Sequence, residues 1–325
     1  VKVWDVVGLM RDRALVPGIK DRTLSLLAYS PDGRTLAATG GGKLLLFDAE
    51  TNELVRTIKV YEQTHHVRAV AFSPDGQLVA AAGSDKSVRF WNVADGSPSG
   101  VPLNLAGEAT SLVFTRGDKL LVTNGSEDGT VTAWDVAARR PSSAARNEKA
   151  GEGVKHVSRL ILSADGETLV FRRGKVVEFW DASLTHRLRQ FEIPDADDQE
   201  SFPLALSPDG RLLAVGGPNC KAVIYDAHTF APLHTLQCKP WPMSWLAFSP
   251  DGKTLATGGD LGPVKLWSTG AFRELLNLGS DQAGMLDAAF SPDGTKLAVI
   301  TGLSNLRVWR APAEAAQTRT PPGGR

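Results

Sequence analysis

The sequence predicts an all-β chain folded as a seven-bladed β-propeller of four-stranded antiparallel blades. Three observations predict it. The tetrapeptide Ser-Pro-Asp-Gly, or a close variant, recurs seven times, starting at Ser30, Ser73, Thr115, Ser163, Ser207, Ser249 and Ser291. The starts lie 43, 42, 48, 44, 42 and 42 residues apart. A second marker trails each copy by about 17 residues: an aromatic side chain, followed by Asp in four of the copies. Short apolar runs lie between the markers. Four short strands in a unit of this length is the period of a propeller blade.

Each unit reads the same way from its start. A run rich in Val, Leu, Ala and Phe forms the first strand. The tetrapeptide then reverses the chain: Pro presets φ for the second turn position, Asp bonds back to the local backbone, and Gly accepts a positive φ. A second strand follows, as in KTLATGG, QLVAAAG and RLLAVGG. After a Gly, Asp or Asn turn comes the third strand with its aromatic: Phe47, Trp91, Trp134, Trp180, Tyr225, Trp267 or Trp309. A more polar fourth strand ends the unit, as in ELVRTIKV, APLHTLQC and FRELLNLG. The interval 136–153 carries Arg, Pro, Ser and Ala where a fourth strand belongs, which predicts a poorly formed outer strand or a surface loop.

VKVWD at residues 1–5 is an eighth third strand with nothing before it. Two closures follow. In the first, a strand near Ala14–Ile19 completes the blade that ends at Arg310, giving seven blades. In the second, residues upstream of Val1 complete an eighth. Seven is the expectation. The propeller then occupies 1–310, and the Pro- and Gly-rich segment 311–325 is expected to be disordered.

Bulk composition narrows the function. Hydrophobic residues make up 42%, enough for a substantial core. Lys plus Arg and Asp plus Glu both count 36, so the formal net charge is zero. Binding to nucleic acid works by neutralising phosphates and leaves a basic excess, which this chain lacks, so no nucleic-acid partner is expected. Cys220 and Cys238 show no metal-ligand spacing and constrain the compartment little. No apolar run reaches the roughly 18 residues of a membrane span, so no membrane insertion is expected. The start, VKVWDV, reads as cut from a longer polypeptide, and any targeting signal would lie upstream. A cytoplasmic location is the working expectation.

The paired markers carry a family resemblance. Tetrapeptide turns followed by VRFWN, VTAWD, VEFWD and VKLWS resemble the WD40 repeat family in the FSPDG form common in bacterial members. The resemblance covers 1–310. It departs from the family in lacking the Gly-His dipeptide, of which His65-His66 and His156 are loose approximations. The family's Asp before the third strand matches at Asp85 and Asp128 but not in most units. The His–Ser/Thr–Asp–Trp network of many WD40 blades should therefore be mostly absent. Apolar packing must hold the blades, with Trp91, Trp134, Trp180, Trp267 and Trp309 as structural anchors.

The resemblance also implies that first strands line a central channel. Aligned on the tetrapeptide, their fourth and fifth columns are apolar or small. The third column is Leu26, Ala69, Ser111, Arg159, Pro203, Trp245 and Asp287, a set that packing alone would not choose. It lies toward the face carrying the fourth-to-first-strand loops. On that face His66, Arg68, Arg159, Trp241, Met243, Trp245 and Asp287 are the candidate protein-binding residues, because large aromatics and Arg dominate binding hot spots.

Catalytic, cofactor and metal sites are not expected. The inner strands hold one carboxylate, Asp287, and no His, too few for a channel metal or a glycosidase pair. The recurring acids Asp32, Asp75, Asp165, Asp209, Asp251 and Asp293 read as turn residues. Asp195, Asp197, Asp198 and Glu200 read as a solvated acidic loop. The expectation is a noncatalytic scaffold or regulatory region, a monomeric ring that binds other proteins or peptides. Similar bacterial propellers are often fused to signalling modules. The alternative is a propeller enzyme or small-ligand sensor using the channel mouth, supported by His65, His66, His156 and the acidic loop.

Overall fold

The structure is a computed structural model and describes residues 24–61, 66–115, 119–124, 129–142, 157, 159–194, 203–217, 221–237, 243–259, 262–278, 285–301 and 306–311. Among these residues the chain forms six four-stranded antiparallel sheets and one three-stranded sheet, in sequence order. They span 24–59, 67–104, 109–141, 161–192, 204–237, 243–277 and 285–310. Within each sheet, strands follow one another as in the sequence. The first sheet is typical, with strands Leu24–Tyr29, Thr35–Gly40, Lys43–Asp48 and Leu54–Lys59. No helix among the described residues is long and apolar enough to cross a membrane.

The expectation of seven four-stranded blades is corrected here to six complete blades and a three-stranded last sheet. The segments on which the two closures rest, 1–5 and 14–19, lie outside the described residues, as do 312–325. The expected weak outer strand is two residues long, Arg140–Pro141. In the fourth and fifth sheets the first strand is shorter than the aligned six residues, Ile161–Leu162 and Leu204–Leu206.

The tetrapeptide turns are built by their own side chains. In the first copy Gly33, at φ +71°, donates its N–H to Ser30 O at 2.9 Å. Ser30 Oγ donates to Asp32 Oδ1 (2.6 Å) and accepts from Thr35 N (2.9 Å). Arg34 N donates to Asp32 Oδ1 at 3.0 Å. The serine-to-aspartate bond recurs at Ser73, Ser163, Ser207, Ser249 and Ser291. These acids are thus consumed by turn chemistry, which fixes the reversal between first and second strands. The Asp that closes the third strand does similar work one turn later. Asp48 Oδ1 accepts from Glu50 N (2.9 Å) and Thr51 N (2.7 Å), and Asp226 Oδ1 from His228 N and Thr229 N.

The core is not one mass. It divides into seven apolar clusters among the described residues, each lying between consecutive sheets. Third-strand aromatics face the preceding sheet. Trp91 shares a cluster with Leu44 and Leu46 of the first sheet, and Trp267 with Ala214 and Ile224 of the fifth. Phe47 shares one with Ala298 and Ile300 of the last sheet, so the packing runs from the chain's end back to its beginning. First strands touch in order around the centre, and Met285–Phe290 touches Leu24–Tyr29. The seam is also clasped by charge. Lys296 Nζ donates to Ala49 O (2.7 Å) and Glu50 Oε2 (2.6 Å), while Arg310 Nη1 donates to Glu50 Oε1 (3.0 Å).

The indoles differ in their polar contacts. Trp267 Nε1 donates to Thr257 Oγ1 at 3.0 Å, and Trp180 Nε1 to Glu178 Oε2 at 2.7 Å. Trp134 Nε1 is buried without a partner. Asp85 caps its turn by accepting from Ser87 N, Ser87 Oγ and Arg89 Nη2. Polar links between side chains therefore vary from blade to blade, while the apolar interface recurs in every one.

Candidate functional site

The first strands carry a shared irregularity that shapes the centre of the ring. In five of them the pairing with the second strand skips one residue: Ser25, Arg68, Thr110, Ser244 or Leu286. Such a bulge places two residues opposite one and re-aims the side chains on either side of it. A strict two-residue alternation would turn the second and third columns to opposite faces. With the bulge, residues of both columns reach the same space.

That space is a cavity of about 240 Å³ at the channel mouth. All seven third-column residues line it. Arg68, Thr110, Ser244 and Leu286 join them from the second column. Of these four, the sequence analysis singled out only Arg68. For Thr110 and Ser244 the signal was present as small polar residues interrupting otherwise apolar strands, while Leu286 carried none; the bulge that makes all three matter is invisible in a sequence period.

Arg159 and Asp287 face each other across the channel. Arg159 Nη1 lies 3.1 Å from Asp287 Oδ1, linking the fourth sheet's approach to the last sheet over 128 residues of chain. Asp287 Oδ2 accepts from Leu27 N of the first sheet at 2.8 Å. Asp287 is 2% exposed, so this carboxylate lines the cavity from within the seam. Its burial is tolerated because both oxygens are engaged. Arg68 Nε pairs with Glu108 Oε2 at 3.0 Å. The two arginine side chains remain half open, 54% exposed for Arg159 and 48% for Arg68.

The remaining candidates divide. Trp245 is 5% exposed; it forms part of the cavity wall and packs between the sixth and last sheets. Met243 is buried at 4% and does not line the cavity. It sits before the bulge, in a column that packs between the fifth and sixth sheets, so it leaves the proposed face. His66 is exposed and lies off the cavity, its N–H donating to Ser84 Oγ at 3.0 Å. Trp241 lies outside the described residues, as do His65, His156, the acidic loop at 195–200, Asp128, Cys220 and Cys238.

Among the described residues the cavity wall holds one carboxylate, Asp287, and it is already committed. Among the described residues no three His, Cys, Asp or Glu side chains are grouped to hold a metal. What the wall offers is two partly open guanidiniums beside an indole and aliphatic side chains, an arrangement suited to recognition.

A family model described as WD domain, G-beta repeat matches residues 53–92 and 230–268. Together with the ring of small antiparallel sheets, these two matches support a WD40 β-propeller. Each matched stretch begins with the outer strand of one blade, Leu54–Lys59 or Pro232–Gln237, and ends at the third strand of the next. The WD40 sequence repeat is therefore one strand out of phase with the sheets. Interaction and scaffold roles are typical of WD40 propellers. None of the curated proteins compared with the chain matches it.

Proposed function

We propose that this WD40 propeller is a noncatalytic scaffold that binds another protein or peptide at the channel mouth. One observation carries the reading. The single strand column that packing would not have chosen converges, all seven members together, on one solvent-facing cavity. The mechanism is rigid display. Blades locked by apolar interfaces hold the mouth in one geometry, so a partner binds without the loss of conformational freedom that a mobile loop would suffer.

We further propose that the three-stranded last sheet is a seventh blade whose outer strand comes from residues 14–19. The phase offset between repeat and sheet supports this, since a ring built of such repeats leaves its last sheet short of one strand and its first repeat with one to give. In this reading the ring is a monomer and one part of a larger signalling polypeptide. The test of the binding reading is affinity capture from the native lysate with the intact chain and with Arg68→Ala/Arg159→Ala. Loss of specific partners from the double variant is expected. Identical partner lists, with both proteins folded, would refute it.

A further inference from the structure

The charges at the mouth say what kind of group would enter. Resting on the binding face proposed above, we propose that the mouth receives an acidic side chain of the partner, with Arg159 as its principal donor and Arg68 as a second.

Among the described residues the charged members of the wall are Arg68, Arg159 and Asp287. Their exposures are unequal in a way that sets the sign of the site. Asp287 is 2% exposed and has one oxygen on Leu27 N and the other on Arg159. The two guanidiniums keep about half of their side-chain surface open. Arg68 already shares its charge with Glu108 at 3.0 Å, so an incoming group meets chiefly the open face of Arg159. A concave wall with apolar sides strengthens that field relative to open water. A guanidinium carries five donors in a planar fork that matches a carboxylate in two-point contact. A Lys or Arg from a partner would meet repulsion from Arg159, whose partner Asp287 is buried beneath it.

Size decides between a ligand and a side chain. The cavity, at about 240 Å³, falls below the roughly 300–1,000 Å³ of small-molecule sites. It suits one inserted side chain. Trp245 and the 47% exposed Leu286 supply apolar surface beside the arginines, which fits an acidic residue flanked by an apolar one.

Asp287 has a defined part in this. It is the internal carboxylate that occupies Arg159, and a partner's carboxylate competes with it. Replacing Asp287 by Asn keeps an oxygen for Leu27 N and removes the competing charge.

The test uses immobilised octapeptide pools with randomised flanks and a fixed central Glu, Gln, Lys or phosphoserine. The full chain should bind the Glu pool about tenfold better than the Gln pool, the difference one charge-assisted hydrogen bond makes. Arg159→Gln should abolish that preference, and Asp287→Asn should strengthen it, with both variants folded by circular dichroism. A merely structural Arg159 would lose binding in both variants, which would overturn the inference. Equal binding of Glu and Gln pools, unaffected by Arg159→Gln, would overturn acidic specificity while leaving the mouth as a binding face. Binding of the phosphoserine pool alone would overturn the carboxylate in favour of phosphate. Failure of every pool, together with capture unaffected by Arg68→Ala/Arg159→Ala, would overturn both proposals.

Discussion

Asp287 offers a direct test of how the ring is closed. Its Oδ2 accepts from the buried N–H of Leu27, 260 residues away and on the first sheet, at 2.8 Å. Asp287→Ala removes that acceptor and leaves a backbone donor buried without a partner. A hydrogen bond to a charged group contributes about 1.5–3 kcal/mol, and orphaning the donor makes the upper part of that range appropriate. The Arg159 pair adds less, because its guanidinium is 54% exposed and such pairs contribute about 0.2–1 kcal/mol. The expected loss for Ala is therefore about 2–4 kcal/mol. Asp287→Asn retains an acceptor for Leu27 and forfeits mainly the screened ion pair, so its loss should be about 1 kcal/mol or less. Equilibrium urea unfolding followed by tryptophan fluorescence resolves the difference. With a slope of about 3 kcal/mol/M, a gap of about 2 kcal/mol separates the two midpoints by about 0.7 M. Equal midpoints for the Ala and Asn variants would show that the hydrogen bond across the seam is not what Asp287 contributes.

Other outcomes follow from the same structure. Gly83→Ala would set a Cβ 2.0 Å from His66 O and 2.9 Å from Tyr61 Cε2, whereas at Gly210, φ +70°, no atom lies within 4 Å. Thermal unfolding should therefore show the Gly83 variant losing more than about 2 kcal/mol, and the Gly210 variant only the roughly 1–2 kcal/mol of a left-handed residue. Trp180→Ala should cost about 3–5 kcal/mol and Trp309→Ala less, because Trp180 is fully buried and bonded to Glu178 while Trp309 is half-buried. At Asp181 and Asp293 burial alone would raise the carboxyl pKa, but it is outweighed by hydrogen bonds from Ser183, Thr185 and His186 at the one and from Ser291 and Thr295 at the other, bringing both down from 3.8 to about 2. Because the folded value is depressed, the stability these groups add is complete above pH 3.8 and is lost as pH falls through about 2. The urea midpoint should drop over that window, and Asp181→Asn/Asp293→Asn should flatten the drop. At the seam clasp, Lys296→Ala should lower the urea midpoint more than Glu50→Gln, since Lys296 is 10% exposed and also serves Ala49 O, while Glu50 is 74% exposed.

Turn chemistry made the blades legible in advance. In the six copies that begin with Ser, the Ser, Asp and Gly act on one another within five residues, so their pattern is independent of the rest of the chain. The aromatic of each third strand was legible for a similar reason, since each unit must bury one large side chain against its predecessor. The candidate site was legible in part. The column mixing Arg, Trp, Pro and Asp among otherwise apolar neighbours, visible in the sequence, lines the cavity. Met243 was misplaced, because the bulge after it changes which side of the strand faces the channel. The burial of Asp287 was not legible, because its partner Leu27 N is a backbone group on the far side of the seam.

The sequence by itself determined that this protein is a succession of equivalent small sheets joined by self-capping turns, because those interactions are local and repeat with the chain. Only the tertiary structure decided that the last sheet holds three strands among the described residues, that the second and third columns share one cavity, and that Asp287 in its wall is already occupied. These depend on contacts between residues more than a hundred positions apart, and no periodic pattern records which ends of a ring will meet.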